Sequence, residues 1–556
     1  MARGDEQVTS GAFHASHKGA GGRHADWRVL AGILALAAIA LLICGAFAGL
    51  LVEGFRDLSG AVDAFDAYLG RIVRFTLWQA VLSTALSVIP AIFVARALSR
   101  HPAFPGRAII LRLFALPLAL PAIVAALGIL ALLGRAGYLA APLSALSAGT
   151  WPGIYGLSGI LVAHVFFNLP LATRLFLEAL DTLPADQWRL ASQLGMGPVA
   201  SFRLIEWPAM RTAFPGIAGL VFMLCITSFT IVLTLGGGPA ATTLEVAIYQ
   251  ALRFDFDPAR AVTFTLLQIV LTVIVVLALT RLGANAAIDA SLPVAQRKFV
   301  MIRPAEALFN AALIVVALVF VAGPIAATVA AGLAADLLRL AGDPAVQQAT
   351  ATSIVLAVIS AILSVAIALS LAAARQGLAR RRGPRAGFLE SLSGTGAGFV
   401  LVVPPIVIGA GWFVLLRHTD FLFAAAPVMV ATVNAVMAMP FAIRAIRPAY
   451  DAAGERNDRL CAQLGIAGWN RVRLIDWPVL RRPIATGFAF AMALSLGDLG
   501  VIALFGSDSV QTLPYLLLAR LGSYRTDDAA GLALLLGLLC LALVFLADRL
   551  GKEKPA

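Results

Sequence analysis

The sequence predicts an all-α fold: a polytopic membrane protein of about 12 transmembrane helices, arranged as two parallel six-helix repeats. Three observations predict it. Hydrophobic residues fill 60% of the 556 positions and charged residues 13%, mean hydropathy is +0.90, and apolar runs of about 20 residues, enough to cross a bilayer as a helix, recur throughout. A 45-residue stretch at 164–208 returns at 434–478, with 15 identities at a constant offset of 270. The basic residues gather in alternate gaps between the apolar runs, as the positive-inside rule requires.

Taken in order, residues 1–26 lack apolar periodicity and read as a disordered cytosolic tail, in which His14, His17 and His24 are solvated. The first span has too long an apolar run for a cleaved signal and reads as a retained helix. Twelve spans follow from the hydropathy, roughly 29–52, 73–95, 109–133, 154–177, 212–236, 261–281, 306–332, 351–374, 396–416, 423–446, 483–506 and 529–548. Lipid offers no partner to backbone polar groups, so each span is expected to be a helix. The first half covers 27–283 and the second 306–556. Between them, 284–305 contains Pro293 and reads as a cytosolic linker. Cys44, Cys225, Cys461 and Cys540 show no metal or disulfide spacing.

Orientation follows from charge. With the N-terminus inside, 32 of the 42 Lys and Arg residues fall in inside segments. Both termini and both repeated loops are then cytosolic. Each loop, 181–208 and 451–478, joins the fourth and fifth helices of its half. Because six is even, the two halves share one orientation. The basic excess of +12 is thereby an orientation signal, and no nucleic-acid partner is implied; the lipid bilayer is the implied surroundings.

The repeated loop reads R-L-x-x-Q-L-G, seven residues, then R-L-I-[ED]-W-P. Its residues are Arg189, Leu190, Ala191, Gln193, Leu194, Gly195, Arg203, Trp207 and Pro208 in the first copy. The second has Arg459, Leu460, Cys461, Gln463, Leu464, Gly465, Arg473, Trp477 and Pro478. Thr182 is placed to cap a helix and Pro184 to occupy its first turn. Ala185–Leu194 favours helix, and Gly195 suits the left-handed position that ends one. A second short helix is expected from Val199 to Glu206, with Pro208 disfavouring helical geometry at Trp207. The second copy is expected to do the same, each forming an L-shaped projection with an apolar ridge suited to a groove on a soluble partner.

Gly195 and Gly465, each followed 13 residues later by the end of I-x-W-P, resemble the EAA-type loop of ABC importer permeases. The usual Glu-Ala-Ala opening is replaced by Arg189-Leu190-Ala191 and Arg459-Leu460-Cys461, which points to a subfamily with two fused permease domains. Within it the chain is most similar to permeases for thiamine and thiamine pyrophosphate, on stretches such as Leu235-Gly236-Gly237-Gly238-Pro239, Thr242-Thr243-Leu244-Glu245 and Ser495-Leu496-Gly497-Asp498-Leu499-Gly500. The resemblance implies a type I importer fold in a bacterial inner membrane and two ABC ATPase subunits docked on the loops, acting as coupling helices. It also implies a periplasmic or extracellular substrate-binding protein on the outer face. Fused ferric-iron permeases share this architecture and are the alternative.

No phosphate-cradling, metalloprotease or nucleophile-elbow motif is present. The expectation is a transport subunit with no catalytic residue, no metal and no cofactor of its own, ATP-Mg being bound by the partners. Asp498 is an acid inside a span, matched at the offset by Ser228. These two, with Gly236, Gly237, Gly238 and Gly497, are the candidate translocation path. His164 and Asn434 are also matched and read as structural hydrogen-bonders. A secondary transporter with 6+6 repeats would call for several mid-membrane acids or histidines, and a lipid-handling enzyme for a cluster at one face; the spans supply one firm acid.

Overall fold

The computed structural model describes residues 27–146, 149–281, 304–379, 387, 389–391, 403–419, 421–466, 468–507 and 510–551. The expected tail at 1–26 lies outside them, as does the expected linker but for its last two positions, where helix Pro304–Ala334 begins. Among the described residues the structure is helical, with one isolated bridge between Ser507 and Val510.

Among the described residues, ten helices are long and apolar enough to cross a membrane, and an eleventh if a bent pair counts as one. Each of the ten overlaps an expected span, although the fifth and eleventh end early, at Ile226 and Gly497, where the chain breaks before a further short helix; the other two spans differ more. The third is broken, since Arg107–Ala119 and Ala122–Leu133 meet at 112°. Pro121 causes the break by holding Leu120 in extended geometry (φ −86°, ψ 136°). The described part of the ninth is Pro405–Leu416, a helix of 12 residues, and 392–402 lie outside the described residues.

The repeat in sequence is a repeat in packing. In the first half, helices Ala67–Arg100, Leu157–Asp181 and Trp207–Ile226 pack pairwise. In the second, Pro344–Ala379, Leu422–Gln463 and Trp477–Gly497 do the same. The fourth helix of each half is the central one. The apolar windows of Leu157–Asp181 and Ala424–Asp458 are 61% and 67% buried, against 28% for Pro304–Ala334.

The first helix of each half crosses to the other. Trp27–Arg56 packs on Pro344–Ala379 and Pro405–Leu416, and Pro304–Ala334 packs on Ala122–Leu133 and Ala67–Arg100. Lipid tails are as apolar as leucine, so close approach of small residues must drive such contacts. The approach is very close here: a Cβ on Gly49 would lie 2.4 Å from the Gly411 carbonyl oxygen, and one on Gly411 would lie 2.3 Å from that of Ala46. The indole N–H of Trp412 donates to the Leu42 carbonyl at 2.8 Å. At the end of this arm Glu53 meets Arg417 at 2.6 Å and His418 at 3.2 Å.

Candidate functional site

The first repeated loop is a short helix, Ala185–Gln193, closed by Gly195 at φ +62°. The Met196 N–H donates to the Ala191 carbonyl and that of Gly195 to Ser192, the paired bonds of a glycine-terminated helix. The second closes alike, with Gly465 at φ +65° and Ile466 bonded to Cys461. At their entrances the copies differ. Thr182 caps the end of the preceding helix, its hydroxyl donating to Ala179 at 2.8 Å, and extended Pro184 starts the next one. The expected N-capping by Thr182 is therefore replaced by a corner at Pro184. The second copy has Gly454 at that position, and helix Leu422–Gln463 continues through it without interruption for 42 residues. The second copy thus has no corner at its entrance, while its turn at Gly465 is followed by the short helix Gly468–Arg471.

The exits also differ from expectation. Trp207 and Trp477 are helical, and each loop continues into its membrane helix through a π turn, Phe202–Glu206 or Val472–Asp476. The Trp207 N–H reaches back five residues to Phe202, and that of Trp477 to Val472. This wider turn accommodates the missing N–H of Pro208 and Pro478 without a break.

Leu190, Leu194, Leu460 and Leu464 are 57%, 68%, 48% and 63% exposed. Leu204 and Leu474, from the same motif, are exposed too. Gln193, Gln463, Arg203, Arg473, Pro208 and Pro478 share that surface character; Ala191 and Cys461 are buried, and Arg189 pairs with Asp186 at 3.2 Å. Trp207 is half-buried between Phe202 and Phe214, whereas Trp477 is exposed. Arg459 lies on the helix, with its side chain outside the described set. Exposed leucines thus recur at matched positions on the two loops.

Further along each loop comes the acid of the R-L-I-[ED]-W-P motif, which is buried in both copies and is not among the candidate residues above. Glu206 is 1% exposed and takes Arg96 and Arg100, both at 2.7 Å. Those arginines also pair with Glu306 on the arm from the second half. Asp476 meets Arg471 at 3.5 Å and Arg28, on the arm from the first half, at 3.7 Å. Arg471 is further held by Asp458 at 2.5 Å. Each loop is thereby tied to the crossing arm. That both copies of the motif carry an acid here, Glu206 and Asp476, was the available signal.

Between the halves is a cavity of about 310 Å3. It lies where the fifth helix of each half is interrupted, by Ser228 between Trp207–Ile226 and Phe229–Leu235, and by Asp498 between Trp477–Gly497 and Gly500–Phe505. Broken helices at membrane depth are tolerated where they line a cavity. The lining includes Ser228, Asp498, His164, Asn168 and Glu245. His164 Nδ1 is 2.8 Å from the Ser83 hydroxyl, and Asn434 donates to Ser495 at 3.0 Å. Both therefore hydrogen-bond within the fold.

The chain matches the family described as "Binding-protein-dependent transport system inner membrane component" over residues 87–287 and 385–552. It is similar to the thiamine transport system permease protein ThiP of Brucella abortus, 56% identical over 520 residues that cover 94% of this chain and 95% of the relative. The Salmonella typhimurium protein of the same name is 42% identical, covering 93% and 96%; that of Escherichia coli is 43% identical, covering 87% and 90%. The chain belongs to this family of transport permeases. Two matched segments make it a fused permease, and its apolar helices make it a multi-pass inner-membrane protein.

In the permease, Ser228 and Asp498 come together on the cavity. Gly497 packs against Pro121 just outside the lining. Gly236, Gly237 and Gly238 form the turn after Phe229–Leu235, Gly237 and Gly238 having φ +70° and +136°. Glu245 was missed as a site residue, although an acid in the apolar stretch Leu244–Leu252 was its signal.

Proposed function

We propose that the chain is the membrane subunit of an ATP-driven importer of thiamine. Likeness over nearly the whole chain to permeases named for thiamine carries the cargo and favours it over the ferric-iron reading. One ATPase subunit docks on each loop, taking the Leu190–Leu194 or Leu460–Leu464 ridge into a groove. ATP-Mg resides in those subunits, and this chain needs no cofactor of its own. The basic loops face the cytosol with both termini, and a binding protein delivers cargo to the opposite face. When the ATPase pair closes, the loops move. Their buried acids carry that motion to the crossing arms, and the halves rock about the cavity to alternate access.

The test is uptake of labelled thiamine by cells lacking the chain, complemented with wild type or with the double variant Leu194→Asp/Leu464→Asp. Both side chains are exposed, so folding should change by about 0.5 kcal/mol or less. Uptake should vanish in the deletion and fall at least tenfold in the variant, which should no longer retain ATPase subunits on purification. Undiminished uptake in the deletion would refute the cargo; retained ATPase subunits in the variant would refute the docking surface.

A further inference from the structure

The cavity between the halves has a chemistry that the docking loops do not account for. Glu245 comes from the first half and Asp498 from the second, and both line it. Glu245 is 1% exposed, and its Oε1 has no hydrogen-bond partner; nor has Oδ2 of Asp498. The other Asp498 oxygen accepts from the Gly500 N–H at 3.3 Å. No lysine or arginine is among the described residues that line it. A carboxylate buried without a cation is costly, and acids at membrane depth generally mark a path for charge.

The rest of the lining fits a flat, positively charged ring. Phe167 and Phe229 both contribute, each ring braced edge-on by a neighbour: Phe166 at 5.2 Å for the first and Tyr249 at 5.4 Å for the second. Aromatic faces attract organic cations, more so once water is excluded. A volume of about 310 Å3 stands at the lower end of the range for small-molecule sites, roughly 300–1,000 Å3.

We propose that this cavity is an internal binding site for an aromatic organic cation, with Glu245 and Asp498 holding the charge and Phe167 and Phe229 the ring. Thiamine, whose thiazolium ring is permanently cationic, is its occupant; that identification rests on the cargo reading above. Since the two acids belong to different halves, rocking of the halves draws one of them away from the charge. The site therefore holds the cation in one state and loosens it in the other.

The experiment titrates the permease–ATPase complex in lipid nanodiscs, without binding protein, using 3-benzylthiazolium and its uncharged analogue 2-benzylthiazole. Wild type should bind the cation at least tenfold more tightly than the neutral compound. Glu245→Gln/Asp498→Asn should abolish that preference, Glu245→Asp should keep most of it, and each neutralised single variant should fall between. Gel filtration of the complex reports folding, and the single variants decide the matter if the double variant does not assemble. Equal cation affinity in wild type and neutralised variants, or no binding to wild type, would overturn the site. Uptake of labelled thiamine into proteoliposomes holding the full importer is measured in parallel. Its absence with wild type would overturn the cargo, leaving the benzylthiazolium titration to decide the cavity.

Discussion

Glu206→Ala should cost the permease about 3–5 kcal/mol of stability, because removing one partner of a buried ion pair leaves the other charged and unsolvated. The Arg100 and Glu206 side chains are each 1% exposed. The wild-type group balances two arginines, Arg96 and Arg100, against two acids, Glu206 and Glu306. Alanine leaves one uncompensated positive charge, with Glu306 still shared between both guanidinium groups, which places the cost toward the lower figure. Asp476→Ala should cost less, since its arginines stand at 3.5 and 3.7 Å and Arg471 keeps Asp458. The thermal unfolding midpoint of the purified permease in detergent measures both. A Glu206→Ala midpoint equal to wild type would mean that the pair does not fasten the loop.

Gly411→Leu should have an effect of similar size through packing alone. Inserting methylenes into a filled interior costs typically ~1–3 kcal/mol, and the upper figure applies here because the atoms in the way are backbone. The nearest neighbours of the added Cβ are the Ala46 oxygen, carbonyl carbon and Cα at 2.3–2.7 Å, which no rotamer change can move. The arm Trp27–Arg56 must then separate from Pro405–Leu416, losing the Trp412–Leu42 hydrogen bond as well. Gly197→Ala is the control, with nothing within 4 Å of its added Cβ and an extended backbone (φ −71°, ψ 172°). Unfolding midpoints and protease cleavage near the arm should separate the two. If Gly411→Leu behaves like the control, the arm is not seated as described.

Much of this was legible because the chain states it twice. The loops, their closing glycines and the shared depth of Ser228 and Asp498 follow from one alignment of the sequence with itself. The crossing arms were not legible, since hydropathy identifies a span but not its neighbour, and Gly49 meets Gly411 only in three dimensions. The burial of Glu206 was hidden for the same reason: its arginines lie on another helix, 106 and 110 residues away. Local rules failed at Trp207, where a proline ahead was expected to end the helix and a wider turn absorbed it. They failed also at Thr182, a good cap residue that spends its hydroxyl on the helix behind it. Glu245 stands in a stretch of likeness, but its place on the cavity depends on neighbours from both halves that no single span contains.

The crossing of the first helix also has a cost in time. While the ribosome makes this protein, Trp27–Arg56 is inserted long before its partner Pro344–Ala379 exists. The interval corresponds to nearly 300 residues of synthesis, roughly 15–60 s at 5–20 residues per second. Throughout it, the glycine-bearing face that will meet Gly411 looks onto lipid, open to capture by other nascent helices. Severing the gene between its halves would lengthen that wait into a search between separate chains, so covalent fusion keeps the late partner within reach of the early helix.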